Sequence, residues 1–326
     1  MMLRKPLYYD KFQCLAGACP DSCCYGWTVD IDPDSAARYR ALTGPLGERL
    51  RQVLTDTDDG VVMEIENGRC PMWQDDGLCR IQAELGHEAL SCVCQTFPRL
   101  RHDYGDFVEQ DLELSCPEVA RLIFAESDAL LEQDMPGGDA EYDQEAMATL
   151  LRSRAAILNY LQDAPLPRAL TVLLMYGHAV QAELDYGDEA VFDPDVVAPH
   201  VDAAGDWAKI FEFFRKLEIL TPQWAARLDA GPVAFSWDAR VLPLARYLIR
   251  RYWLQAVSDY DLICRVKFIV TACLLVSALG DDFAQTAQQF SKEIENDPDN
   301  VEAILDGAYN NPALTDMNLL AILQNP

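Results

Sequence analysis

The sequence predicts a mainly α protein with an irregular, cysteine-rich N-terminal module that carries a few short strands. Three observations predict it. Nine of the eleven cysteines fall before residue 117, at Cys14, Cys19, Cys23, Cys24, Cys70, Cys79, Cys92, Cys94 and Cys116. Beyond about residue 140, apolar residues recur at spacings of three and four, the period of amphipathic helices. Half of the 326 residues are apolar, which is enough to fill a sizeable core, and the length allows two domains. The predicted division is a cysteine-rich module over 1–133 and a helical domain over 140–326, joined by the linker-like stretch 134–138.

The first ten residues lack the apolar core of a signal peptide, so the chain is expected in the cytoplasm. Residues 27–31 alternate as a short strand does, and Asp32-Pro33 then reads as an N-cap with proline at the first helical position. A helix is expected over 34–42, and Gly44-Pro45 separates it from a second helix running to residue 54. Residues 61–65 read as a strand ending in the Asn67-Gly68 turn. Cys70 and Cys79 bracket the turn at Asp75-Asp76-Gly77, so their thiols can converge. The helical pattern over 80–85 stops at Gly86, and 107–115 alternates as a strand. Ser115 is expected to cap a helix opening at Cys116-Pro117. After the linker, helices are expected over 141–161, 169–184, 207–217, 239–257, 262–279, 283–295 and 301–304. The longest apolar run, 268–279, is far short of the roughly 20 residues of a membrane span, so it reads as a buried helix with no membrane insertion.

A formal charge of -27 and a pI near 4.3 argue against nucleic acid as partner, because affinity for phosphate comes from clustered Lys and Arg. The acidic stretch 183–195 reads as a solvated loop. No Gly-x-Gly-x-x-Gly and no Walker loop occurs, and the glycine-rich turn of most S-adenosylmethionine enzymes is also missing. The four histidines, His87, His102, His178 and His200, are scattered and read as surface or packing residues.

Clustered cysteines in a reducing compartment point to a metal rather than to disulfides. Thiolates bind zinc or iron-sulfur clusters, four to a closed site, and nine suffice for two sites with one spare. The Cys-x2-Cys knuckles of zinc ribbons do not occur. Cysteine followed by proline occurs at Cys19, Cys70 and Cys116, as in bacterial ferredoxins. This weighs toward iron-sulfur, with zinc as the alternative. Cys23 and Cys24 point to opposite faces of an extended backbone, so they serve different sites or only one binds. Cys92 is left out of the ligand set because Cys-x-Cys needs a tight turn, and Cys264 and Cys273 read as core residues.

Several stretches together carry a resemblance: Phe12-Gln-Cys14, Cys19-Pro-Asp-Ser-Cys23-Cys24-Tyr-Gly-Trp27, Cys70-Pro71, Leu78-Cys79-Arg-Ile-Gln82, Phe97-Pro98-Arg99 and Leu114-Ser-Cys116-Pro117-Glu118. The chain resembles the flagellin lysine-N-methylase (FliB) family over about residues 12–125, with a weaker echo at 246–251. The resemblance implies methyl transfer from S-adenosylmethionine to lysines of flagellin, and an iron-sulfur cluster, 4Fe-4S or with zinc as alternative. Its thiols correspond to Cys14, Cys19, Cys23, Cys24, Cys70, Cys79, Cys94 and Cys116, and the four-residue gap between Cys14 and Cys19 departs from the pattern. A lysine amine with its usual pKa near 10.4 must lose a proton before it attacks a methyl sulfonium. Asp21, Asp32, Tyr104 and Glu113 are the candidates for that role or for holding the lysine, with helix capping as the competing role for Asp32 and turn formation for Asp21. Arg99 is the candidate for binding the methionine carboxylate, with a packed ion pair as its alternative. The reading from another class is a non-enzymatic iron-sulfur or zinc protein, a metal carrier or a redox-responsive module.

Overall fold

Local caps and apolar periods place most of the helices. The computed structural model describes residues 1–232, 235–280 and 282–325. Pro326, the end of the expected helical domain, lies outside them. Among the described residues the chain is mainly α-helical, as the sequence predicts. Seven strands occur: β1 (Met2–Pro6), β2 (Val29–Ile31), β3 (Leu54–Thr57), β4 (Gly60–Met63), β5 (Arg99–Asp103), β6 (Phe107–Leu112) and β7 (Leu130–Asp134). They form a sheet of order β5-β6-β1-β7 and a smaller antiparallel sheet of order β2-β4-β3. In the larger sheet β1 runs parallel to β6, with Leu3 opposite Val108, and antiparallel to β7, with Leu3 opposite Gln133.

The cysteine region holds α1 (Pro33–Ala41), α2 (Gly44–Val53), α3 (Arg80–Leu85), α4 (Cys92–Thr96) and α5 (Pro117–Ala125). Asp32 caps α1 by accepting from the Ser35 amide, with Pro33 at the first helical position. The expected Ser115 cap is corrected: the N-cap of α5 is Cys116, with no side-chain cap bond, and the Ser115 hydroxyl is buried without a partner. The reason is register, since the chain stays extended one residue further, through Cys116.

The remaining helices are α6 (Gln144–Tyr160), α7 (Arg168–Tyr186), α8 (Trp207–Phe214), α9 (Pro222–Ala230), α10 (Val241–Tyr252), α11 (Ile263–Leu279), α12 (Phe283–Phe290), α13 (Pro298–Asn310) and α14 (Asp316–Gln324). All of α11 is buried, which suits a helix that is apolar on every side. It packs against α7, α10, α12 and α13, and Gly177 of α7 lies so close to Val266 that an added Cβ would stand 2.8 Å from its methyls. No helix among the described residues is long and apolar enough to cross a membrane. The sequence patterns missed α4, α9 and α14, and also β1, β3, β5 and β7; β3 lies where a polar loop over 55–60 is expected, and β1 and β7 pair with strands far away in sequence.

Two hydrophobic cores result. The smaller is built by residues such as Val29, Tyr39, Leu50, Met63, Cys70 and Ile81. The larger takes in the helices together with Tyr8, Phe107, Leu112 and Val119. Helix α10 ties the large sheet to the helices through charge: Arg246 and Arg250 donate to Asp128 at 2.8 and 2.6 Å. Arg250 also lies 3.4 Å from Asp111, which accepts from the Tyr8 hydroxyl at 2.5 Å.

After α12 the chain makes a π-helical turn, Ser291–Glu295, every residue of which is buried. Such a turn re-aims side chains relative to a regular helix and is frequent at functional sites. It is the element that positions the site.

Candidate functional site

The π-turn sends two charged side chains into different surroundings. Lys292, 2 % exposed, donates to Asp21 at 2.6 Å, and its ammonium lies over the rings of Trp27 and Tyr25 at 4.9 and 5.4 Å. Gln288, one turn earlier on α12, donates to Asp21 at 2.8 Å and to the Ser115 carbonyl at 2.7 Å. The loop that carries four thiols is thereby pinned to the helical core. Glu295 faces elsewhere: it accepts from Tyr252 at 3.0 Å and pairs with Arg251 at 3.1 Å.

Around Asp21 the thiols gather in two neighbourhoods. Cys23 and Cys70 lower the pKa of the neighbouring Cys24, with Ser22 and the Lys292 charge adding to the effect against burial; the Cys70 amide donates to the Cys24 carbonyl at 2.7 Å, and the Cys70 thiol donates to the Met63 sulfur at 3.6 Å. Cys24 in turn pushes the Cys23 and Cys70 thiols up, and burial adds to it at Cys70. Cys79 and Cys94 feel the charge of Cys24, and desolvation raises both, Cys94 to about 11. Cys116 is raised to about 11 by burial and feels Cys19 and Cys14; burial likewise raises Cys19. Cys24, Cys70, Cys79 and Cys94 therefore form one neighbourhood and Cys14, Cys19 and Cys116 another, and Cys23 senses members of both, Cys24, Cys94 and Cys14. Among the described residues no three Cys, His, Asp or Glu side chains converge as a single ion requires. Chemically, the donor set is all thiol, beside the buried cation of Lys292. Cys92, the first residue of α4, is exposed and does not figure among the charges acting on these thiols.

The structure spreads the other predicted residues apart. Asp21 is committed to Lys292 and Gln288. Asp32 gives one oxygen to the Ser35 amide and the other to the Cys92 amide at 2.8 Å, bonds that hold its carboxyl below the usual range. It therefore orients the helix that carries Cys94. Tyr104 stacks on Phe107 at 4.7 Å against the larger core, and the charges acting on it come from Glu109, Arg154 and Arg265, not from thiols. Glu113 is largely buried, 3.9 Å from Arg251, and its amide donates to the Pro98 carbonyl at 2.7 Å. Burial raises its pKa to about 7, opposed by Arg251 and reinforced by Glu295. Arg99 is exposed and lies over the Phe12 ring at 5.3 Å, which tethers the start of the cysteine run to β5.

Sequence patterns gave no sign of Lys292, Gln288, Arg251 or Glu295 as site residues. Their partners lie far off in the chain, 271 residues away for Lys292 and Asp21. The run Trp27 and Tyr25 beside the thiols was the one local signal that a cation is received there. His102, expected at the surface or in packing, is half-buried on β5 with its Nε2 unpartnered, and His178 pairs with Asp316 at 3.0 Å.

Comparison with known proteins gives three relatives. The chain is similar to the flagellar biosynthetic protein FliU of Salmonella muenchen, with 32% identity over 139 residues that cover 39% of this chain and 79% of FliU. It is similar at the same identity and length to the lysine-N-methylases of Salmonella typhimurium and Salmonella choleraesuis. The chain spans 33% of the length of each of those two methylases. No protein-family model matches. No solved structure matches either.

Proposed function

The chain belongs to the family of FliU and the lysine-N-methylases (FliB), and from that premise we propose that it transfers methyl groups to protein lysines, with flagellin as substrate and S-adenosylmethionine as donor. Similarity to two proteins named lysine-N-methylase is the observation that carries this reading. The thiol assembly supports a resident iron-sulfur cluster, with zinc as the alternative metal. The donor chemistry fits, because thiolates are the usual ligands of both. Cys14, Cys19, Cys23, Cys24, Cys70, Cys79, Cys94 and Cys116 are the thiols that would hold it, and because no three of them converge among the described residues, binding would have to draw them together. When bound, either group would supply a fixed charge centre, and an iron-sulfur cluster would add an electron reservoir, which zinc does not.

What the chain's own residues do follows from their partners. Lys292 offsets negative charge on the thiolates, and Asp21 holds Lys292 in place. Asp32 fixes α4 and so the Cys94 thiol. Glu113 is the carboxylate of the predicted set whose oxygens have no hydrogen-bond donor, which suits it to accept the proton that a lysine ammonium must lose. Arg251, 3.9 Å away, favours the charged form of that carboxylate against its burial.

Anaerobic purification with counts of iron, sulfide and zinc, followed by incubation with S-adenosylmethionine and flagellin and mass spectrometry of the lysines, tests the reading. Methylated lysines, abolished together with metal content in Cys70→Ser, are expected. A metal-loaded chain that neither binds S-adenosylmethionine nor methylates flagellin would instead fit a non-enzymatic metal protein.

A further inference from the structure

A cleft of about 450 Å3 opens between β5, α10 and α13, beside the π-turn. That volume falls in the range of small-ligand pockets. Its walls are apolar, with Leu100, Val301 and Leu305 among them, and its charge is one-sided: Asp259, Asp261, Glu295, Glu302 and Asp306 line it against Arg251 alone. Two of these carboxylates are occupied. Asp259 pairs with Arg265 at 2.7 Å, and Asp261 accepts from the Tyr309 hydroxyl at 2.5 Å. Glu302 and Asp306, one turn apart on α13, have no ion-pair partner among the described residues and remain at the mouth.

A second, independent feature lies at the deep end. The Glu295 side chain is 0% exposed, yet its Oε2 has no hydrogen-bond partner among the described residues, while Oε1 carries the bonds from Tyr252 and Arg251. His102 Nε2, in the same lining, is also buried without a partner. A buried carboxylate oxygen left unsatisfied loses the hydrogen bonds it had with water, so it calls for a donor from outside the chain. Apolar walls, an acidic mouth and an unsatisfied carboxylate at the floor together describe a receptor for a cation on an aliphatic arm.

We propose that this cleft binds an organic cation, either the ε-ammonium of an acceptor lysine or the sulfonium of the methyl donor, with Glu302 and Asp306 attracting it and Glu295 receiving its positive end. The inference rests on the methyl-transfer reading for the source of the cation and on the cleft alone for its charge. Arg251, in the cleft lining, lies 3.1 Å from Glu295 and 3.9 Å from Glu113, which links the cleft to that carboxylate.

The test is calorimetric titration of the full chain with a lysine peptide and its ε-acetylated twin, and with S-adenosylmethionine and its neutral counterpart S-adenosylhomocysteine. One cation is expected to bind at least about tenfold more tightly than its neutral twin, and the Glu302→Gln/Asp306→Asn variant to lose about tenfold of that affinity. Both positions are exposed, so the variant should melt with the wild type, which separates lost binding from lost folding. Which pair shows the preference identifies the source. Equal binding of charged and neutral twins, absence of binding by either cation, or wild-type affinity in the double variant overturns the assignment. If the double variant methylates flagellin with unchanged KM for both substrates, the cleft assignment fails and the methylase reading stands. If the wild type methylates nothing but the charge preference and its loss persist, the methylase reading fails and the cleft stands.

Discussion

Lys292 and Glu295 are buried charges three residues apart on one π-turn, and the protein treats them in opposite ways. Lys292 is fully provided for, with a carboxylate at 2.6 Å and two aromatic faces. Glu295 is provided for on one oxygen and left open on the other, beside a cleft. A buried charge with every partner inside the chain fixes structure, whereas one that lacks a partner is poised for something that arrives. The thiol side of the π-turn is thus a seam, and the cleft side is a receptor.

Removing the carboxylate of the seam should have the largest effect. Asp21→Ala leaves Lys292 buried and unpaired, a loss of about 3–5 kcal/mol expected in urea denaturation, with Asp21→Asn milder because Gln288 keeps an acceptor. A loss under 1 kcal/mol would mean that the seam is not held by this pair. On the cleft side, Glu295→Gln keeps an acceptor for Tyr252 but weakens the tie to Arg251, so about 1–3 kcal/mol is expected from the same measurement. If both substitutions cost the same, the contrast between seam and receptor collapses.

The cleft should also reveal itself through pH. Burial, helped by Arg251, holds His102 below its usual 6.5, opposed by Glu109 and Asp111, with Arg154 adding a small push downward. A histidine lowered in the folded state stays neutral there while the unfolded chain takes up a proton. Its contribution is therefore complete above about pH 6.5 and declines as pH falls below that value. Melting temperature against pH should show this slope, and His102→Gln should flatten it. Smaller still is Asp32→Ala, which removes the α1 cap and is expected to lower stability by about 1 kcal/mol. Glu302→Gln, at the exposed mouth, should stay within about 0.5 kcal/mol of wild type in the same assay.

Much of the fold was legible because its signals are local. Asp32-Pro33 announced α1, the apolar run over 268–279 announced a buried helix, and Gly86 announced the end of α3. The thiols were legible as a set for the same reason, since their density and proline neighbours are visible in a short window. Failure came where a partner was distant. β1 and β7 are unremarkable alone and become strands by pairing with each other, β1 pairing on its other edge with β6. Ser115 looked like a cap, but the helix begins one residue later and the hydroxyl is buried instead.

The sequence by itself determined the helical class, the family and the residue types available for a metal, because periodicity, spacing and composition are properties of neighbouring residues. Only the tertiary structure decided which charges meet. It set Lys292 against Asp21 across 271 positions, gave Glu113 its neighbours Arg251 and Glu295, and opened an acidic cleft around a carboxylate with a spare oxygen. Those outcomes depend on burial and on the approach of distant segments, and electrostatic interactions grow strong only where packing has removed the water between them.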